Sequence, residues 1–303
     1  MVNPLKILVT GSGGLLGSAF VKIAALRHDV YSTHRRHLPP AGIPIKLDLT
    51  DFNAIKRALE EIKPDVILHA AALTNVDLCE REKELALRVN YEATARIAEI
   101  SEKLGSFMVY ISTDYVFDGE KGLYKEEDIP NPINFYGYSK LKGEQAIREL
   151  VEGYCIARAS VIYGSKPAGG KVNFALWLFE KLRKNEELNI LVDQYVSPTL
   201  NTNLAEMLLE IIERELKGTY HLSGAERVSR YQFASELCEV FGFDRSLLKP
   251  ISMSDIKWIA RRPRDSSLDV SKAKRILNNK PLNLRDSLLR LKRELSNVTG
   301  GGC

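Results

Sequence analysis

With 303 residues, 45% of them hydrophobic and 27% charged, the chain has room for two domains or one large elaborated one, and the composition of an ordinary globular protein. Its 43 basic and 39 acidic residues leave a formal net charge of +4 spread along the chain, with no arginine-rich or aromatic-interleaved segment, which argues against nucleic-acid binding. No apolar run approaches the roughly 18 residues of a membrane span, and Cys79, Cys155, Cys238 and Cys303 form no C-x-x-C pair, so neither a membrane, a metal nor a dithiol role is indicated.

The first half alternates strand-like and helix-like segments. Leu5 to Thr10 is short, apolar and stops at glycines, as a buried parallel strand does. Gly14 to Leu26 carries Leu15, Leu16, Ala19, Phe20, Ile23 and Leu26 at helical spacing. Asp29 to Thr33 and Ile43 to Leu47 read as strands, and Asp51 to Ile62 as a helix with Thr50 as its N-cap. Asp65 to Ala70 is a fourth strand, Leu85 to Leu104 a long helix, Phe107 to Ile111 a fifth strand, Tyr136 to Val151 a helix and Tyr154 to Arg158 a sixth strand. This rhythm predicts an α/β protein, a doubly wound parallel sheet with helices on both faces. Past residue 160 it loosens: a Pro/Gly loop over Lys166 to Lys171, helices over Val172 to Lys184, Asn203 to Glu215, Tyr231 to Phe241 and Leu284 to Leu295, an irregular Asp193 to Thr199, a strand over Gly218 to Ser223 and a basic loop over Arg261 to Asp269. The expected division is a dinucleotide-binding domain over 1–160 and a smaller α/β substrate-binding region over 161–303, some of whose segments return to the first. The triglycine end is expected to be disordered. The N-terminus shows no signal-peptide pattern, and the separated cysteines suit a reduced, cytoplasmic protein.

Thr10-Gly11-Ser12-Gly13-Gly14-Leu15-Leu16-Gly17 joins the first strand to the first helix. Gly11 suits the tight turn, Gly14 the approach of a pyrophosphate, and Gly17 close packing of helix on strand, with helix amides facing the phosphates. The second strand ends in His34-Arg35-Arg36 with no acid for a ribose 2′-hydroxyl, so a 2′-phosphate is expected there and NADPH is favoured, NADH being the alternative. Asp48 is placed either to accept from the adenine amino group or to cap the next helix. Tyr136 and Lys140, four apart on a predicted helix, share a face. The ammonium is expected to lower the phenol's pKa and make Tyr136 a proton donor beside a reacting carbonyl.

These residues resemble the extended short-chain dehydrogenases/reductases, a Rossmann-type family, over nearly the whole chain. His69-Ala70-Ala71-Ala72-Leu73-Thr74-Asn75-Val76-Asp77 looks like the A-A-A-x-T-x-V-D segment of dTDP-4-dehydrorhamnose reductases. Ser112-Thr113-Asp114-Tyr115-Val116-Phe117-Asp118-Gly119, Tyr136-Gly137-x-Ser139-Lys140 and Arg262-Pro263-Arg264-Asp265-Ser266-x-Leu268-Asp269 match that subfamily as well. Asp193-Gln194-Tyr195-Val196-Ser197-Pro198-Thr199 resembles its D-Q-x-G-x-P-T, with Val196 at or near the usual glycine.

The resemblance implies a catalytic set of Thr113, Tyr136 and Lys140, with Ser112 as the alternative hydroxyl. It implies a cofactor held by residues 11–17 together with His34, Arg35, Arg36, Asp48, Leu49, Ala70, Ala71, Ala72, Asn90, Ser112, Tyr136 and Lys140. A nucleotide-sugar would meet Thr74, Val76, Thr113, Asp114, Tyr115 and Arg262, with Arg262 and Arg264 as candidates for its diphosphate. The implied reaction is NADPH-dependent reduction of the C4 ketone of a dTDP-4-dehydro-6-deoxy sugar to dTDP-L-rhamnose or a relative. Related dehydratases carry Asp-Glu after the threonine, whereas Tyr115 follows Asp114 here, which disfavours water elimination. The regulatory β subunit of methionine adenosyltransferase is similar over the same motifs, so an NADP-binding, non-catalytic subunit is the alternative. A further alternative is another nucleotide-sugar epimerase or reductase. A homodimer is compatible with each. Trp177 and Trp258 are expected to pack rather than stack on a ligand.

Overall fold

A computed structural model describes residues 3–167 and 172–299, with the side chains of 298 and 299 excepted. Most of the expected Pro/Gly loop and the whole triglycine end lie outside the described residues. The chain opens β1 (Lys6–Thr10), α1 (Leu15–Ala24), β2 (Asp29–His34), β3 (Ile43–Lys46), α2 (Phe52–Ile62) and β4 (Val66–His69). Short helices α3 (Val76–Arg81) and α4 (Lys83–Leu87) precede α5 (Ala93–Leu104), β5 (Phe107–Thr113), α6 (Phe135–Leu150) and β6 (Tyr154–Ala159). Then come β7 (Ile162–Tyr163), α7 (Phe174–Leu182), β8 (Leu188–Leu191), β9 (Tyr195–Val196), β10 (Thr199–Leu200), α8 (Asn201–Glu213) and β11 (Gly218–His221). The last elements are β12 (Val228–Ser229), α9 (Arg230–Phe241), β13 (Leu248–Ile251), α10 (Ser271–Ile276) and α11 (Leu284–Thr299).

Seven strands form one sheet in the order β11-β6-β5-β4-β1-β2-β3, every pair parallel. Strand alternation explains how it is covered. Ile7 and Val9 of β1 face a core shared with α1 and α8, while Leu8 between them faces a second core shared with α2, α5 and α6. This is a doubly wound, Rossmann-like α/β sheet. Chain order reverses between β1 and β4, so their C-terminal ends flank the crevice where such sheets take ligands.

The C-terminal half contributes three pieces to this body, the third being α10, whose Ala273 lies in the core of α1 and α8. β11 pairs with β6 from Gly218 to His221, and α8 packs on α1 in the same core. Helices α7, α9 and α11 with β8 and β13 surround a separate core of Leu178, Leu188, Ile190, Phe233, Leu237 and Leu288. Asp193 to Thr199, expected to be irregular, supplies β9, which pairs antiparallel with β12, and part of β10, which pairs with β7.

Two local expectations are corrected. The cap of α2 is Asp51, whose Oδ1 accepts the Ala54 amide at 2.9 Å, not Thr50. Asp48 does not cap that helix; its Oδ1 accepts the Thr50 amide at 2.9 Å and the Thr50 hydroxyl at 2.8 Å. The single helix expected over Leu85 to Leu104 is interrupted by a π-turn at Arg88–Glu92. That turn carries Asn90 into the interior, where Oδ1 accepts the Leu73 amide at 2.8 Å and Nδ2 donates to Leu73 O at 3.0 Å and Ser139 Oγ at 2.9 Å. Such single π-turns cluster at functional sites.

Candidate active site

The glycine turn after β1 lies against the start of the β4 loop. Gly11 has a φ of +71°, and a Cβ there would sit 2.8 Å from the backbone of Ala71. A Cβ on Gly17 would come within 2.2 Å of Gly11 O, so helix and turn pack without room for a side chain. Gly14 opens α1 without a side-chain cap, so first-turn amides stay available to an anion. Ser12 is otherwise engaged: its hydroxyl donates to Thr33 O at 2.6 Å and its amide to the same oxygen at 3.3 Å. Leu16 belongs to the core, and Leu15 O accepts from Asn201 Nδ2 at 2.9 Å.

At the end of β2, Arg35 and Arg36 are exposed, with Arg35 Nη1 4.0 Å from Asp48 Oδ2. The backbone bond from Thr50 is the largest influence holding Asp48 below its ordinary pKa, with Arg35 and Arg88 assisting. His34, at the end of β2, has its Nδ1 buried without a hydrogen-bond partner.

The candidate catalytic residues converge at the C-terminal end of β5. Asn134 caps α6 by accepting the Gly137 amide at 2.9 Å, which puts Tyr136 in the first turn and Lys140 one turn later. A Cβ on Gly137 would lie 2.0 Å from Tyr115 O, so α6 presses directly on the turn after Thr113. The Tyr136 ring meets Tyr115 edge-on, centroids 6.0 Å apart. Burial holds the Tyr136 phenol well above its ordinary pKa; a hydrogen-bonding interaction with Thr113 opposes this, and the Asp114 charge reinforces it. The expected depression by Lys140 is therefore not what the structure shows: desolvation of the phenolate dominates, and the influence that opposes it comes from Thr113. Lys140 is only 2% exposed, with Nζ 3.9 Å from the Tyr110 ring centroid, and burial brings its pKa down to about 7 against the pull of Glu144.

Neighbouring residues divide by task. Thr113 Oγ1 donates to Asp114 Oδ1 at 3.0 Å, and Asp114 is buried, accepting also from Ser160 at 2.8 Å and Ser266 at 2.5 Å. Three hydroxyls thus occupy the carboxylate expected to meet substrate. Burial still raises its pKa. Ser112 turns to the other face and donates to Glu144 at 2.6 Å, which leaves Thr113 as the hydroxyl beside Tyr136. Arg262 pairs with Asp77 at 2.9 Å and donates to Ala260 O at 2.8 Å, tying the C-terminal loop to α3. Thr74 is exposed, and Val76 opens α3. His69, buried, spans Thr10 Oγ1 at 2.7 Å and Thr94 Oγ1 at 3.0 Å beneath the Ala70–Ala72 segment.

The chain matches the RmlD substrate binding domain family over residues 5–297. It belongs to that family. It is 34% identical over 295 residues to the probable low-salt glycan biosynthesis reductase Agl14 of Haloferax volcanii, covering 96% of this chain and 98% of that one. It is 34% identical over 275 residues to methionine adenosyltransferase 2 subunit beta of Bos taurus, covering 88% and 81%. Among solved structures, dTDP-4-dehydrorhamnose reductase from Bacillus anthracis in complex with NADP superposes with a TM-score of 0.86 at 30% identity, covering 96% of this chain and 99% of that one. The hypothetical dTDP-4-dehydrorhamnose reductase from Sulfolobus tokodaii superposes with a TM-score of 0.84 at 39% identity, covering 93% and 99%.

Within this RmlD-type fold, motif reading overlooked residues that hold the site from behind. Glu144 bonds both Arg158 Nε at 2.9 Å and Nη2 at 2.8 Å, behind Ser112 and one turn beyond Lys140. The K-L-K-G-E run places Glu144 on the lysine's face, a spacing that would have found it. Arg230, at the start of α9, acts electrostatically on Asp114 and Tyr115 from the C-terminal half. No sequence signal marks it.

Proposed function

We propose that this chain reduces the ketone of a nucleotide-linked 4-dehydro-6-deoxy sugar with NADPH, converting dTDP-4-dehydrorhamnose to dTDP-L-rhamnose or carrying out a close variant. The observation that carries this reading is the convergence of Tyr136 and Thr113 at the end of β5, beside the glycine cradle and Lys140. The cradle suits the cofactor: the α1 amides would take the pyrophosphate, and Arg35, Arg36 and the orphaned His34 Nδ1 would face the 2′-phosphate. NADPH bound there supplies hydride to the carbonyl carbon.

The residues of the chain handle the proton and the charge. Tyr136, kept protonated by burial, breaks its O–H bond and gives that proton to the carbonyl oxygen, which becomes the alcohol. Thr113 donates to the same oxygen as charge develops, after its hydroxyl swings away from Asp114. Lys140 holds a positive charge near the phenolate that remains and near the ribose. Tyr115, where dehydratases carry Glu, offers no second acid for eliminating water.

Purified protein mixed with dTDP-4-dehydrorhamnose and either NADPH or NADH tests the reading. Consumption of NADPH with a higher kcat/KM than NADH is the expected outcome; no oxidation of either cofactor would sink it. The likeness to methionine adenosyltransferase 2 subunit beta supports a second reading, an NADP-binding partner subunit. Co-purification with a synthetase, together with silence in the keto-sugar assay, would favour that one.

A further inference from the structure

We propose that Arg230 is the guanidinium that grips the diphosphate of the sugar nucleotide, an inference that rests on the reductase reading above. Three observations lead there. The first is an unused donor set. Arg230 Nε donates to Gln194 Oε1 at 3.1 Å and the guanidinium lies 4.9 Å from the Phe174 ring, but neither Nη has a protein acceptor among the described residues and no carboxylate pairs with it. Arginine carries five N–H donors in a planar fork, and the outer ones suit paired phosphate oxygens. A guanidinium left unpaired while partly withdrawn from water is unfavourable unless a ligand completes it. Burial lowers its pKa, the mark of a charge held away from solvent.

The second observation is that the side chain is fixed before any ligand arrives. The Arg230 amide donates to Gln194 O at 3.1 Å while the side chain holds the same residue's amide oxygen, next to the β9–β12 pairing. A donor pre-placed in this way loses little entropy on binding.

The third is location. Arg230 and Phe174 are the first residues of α9 and α7, so the guanidinium stands where two helices of the C-terminal half begin. Its charge reaches Asp114 and Tyr115, the residues after Thr113, so it lies near the turn that carries the candidate catalytic threonine. A sugar nucleotide reduced at C4 carries its diphosphate at C1, the opposite end of the ring. Arg262, the candidate read from the motif, has its Nη1 on Ala260 O and its Nη2 on Asp77.

Calorimetric titration of the full chain with dTDP decides the matter, using wild type, Arg230→Gln, Arg230→Lys and Arg262→Gln. Arg230→Gln should weaken dTDP binding on the order of tenfold to a hundredfold, the loss of a charge-assisted bond pair. Arg230→Lys should lie between, because it keeps charge but not the fork. NADPH affinity and the unfolding midpoint should stay at wild-type values in both Arg230 variants. dTDP binding as tight as wild type in Arg230→Gln overturns the proposal, as does absence of dTDP binding by the wild type. So does a loss of NADPH affinity parallel to that of dTDP, which would mark a structural role. Failure of the keto-sugar assay alone removes the reductase reading and leaves the dTDP result standing.

Discussion

Lys140 Nζ sits 3.9 Å from the centroid of the Tyr110 ring, with the lysine almost wholly out of water. The aromatic face offsets part of the cost of burying an ammonium, but burial still brings the pKa down to about 7. The cation therefore dominates below that value and is lost as pH rises through it. If the ammonium positions the cofactor ribose, kcat/KM for NADPH, which reports the cofactor-free enzyme, should fall with one proton above about pH 7. Glu144 opposes the shift, so Glu144→Gln should move the midpoint to lower pH. A profile flat through the neutral range would reject the role.

In the proposed reduction Tyr136 and Thr113 make separable contributions. The phenol is held above its ordinary pKa, so it remains a proton donor across the neutral range. Tyr136→Phe keeps the ring against Tyr115 and removes only the donor, and should lower kcat by about a hundredfold to ten-thousandfold. NADPH affinity should hardly change. Thr113→Val should lower kcat less, because it removes one oxyanion donor and frees Asp114 from one of its three hydroxyls. Stopped-flow single turnovers would show the effect on the chemical step; an unimpaired step in Tyr136→Phe would transfer the proton to another group.

Glu144 and Arg158 form a doubly bonded ion pair with side chains 0% and 1% exposed, which fastens α6 to β6. Breaking it strands Arg158 without its carboxylate. Glu144→Ala should cost about 3–5 kcal/mol in urea unfolding, the range for removing one partner of a buried pair. Ser112 and Arg148 lose the same carboxylate and deepen the effect. A loss below about 1 kcal/mol would show that water or a neighbour substitutes for Glu144.

What was legible in the sequence was what depends on neighbours in the chain. The glycines at 11, 14 and 17 and the pair Tyr136 and Lys140 are set by turn and helix geometry, and they stand where spacing put them. The π-turn at Asn90 was hidden because one extra residue in a turn leaves the apolar pattern looking helical. The pairing of Arg262 with Asp77 could not be read from the motif, because the two lie 185 residues apart. The bonds from Ser160 and, 152 residues on, Ser266 to Asp114 were hidden for the same reason. The seat of β11 beside β6 needs a pairing over some sixty residues that no local pattern encodes. The protein partners of polar side chains near a site thus become known only with the long-range pairings.

The last prediction concerns acid. His69 and His221 are both buried, and desolvation, helped by Lys140 and Arg158 respectively, lowers each pKa to about 3 from the ordinary 6.5. His69 is matched to the neutral ring: Thr94 donates its hydroxyl to Asn90 O, so His69 Nε2 donates to Thr94 and Nδ1 accepts from Thr10. Below pH 6.5 the unfolded chain takes up protons that the folded chain refuses, so stability is fully present above that value and is lost as pH falls toward 3. Each histidine contributes a slope of up to about 1.4 kcal/mol per pH unit. Asp114, raised by burial, works in the opposite sense but as one group against two. Urea midpoints should therefore drop between about pH 6.5 and 5, above the range where most carboxylates titrate. His69→Gln should halve that drop while lowering stability at neutral pH, because it removes one of the two groups. Equal midpoints at both pH values would mean that the folded chain binds these protons as readily as the unfolded one.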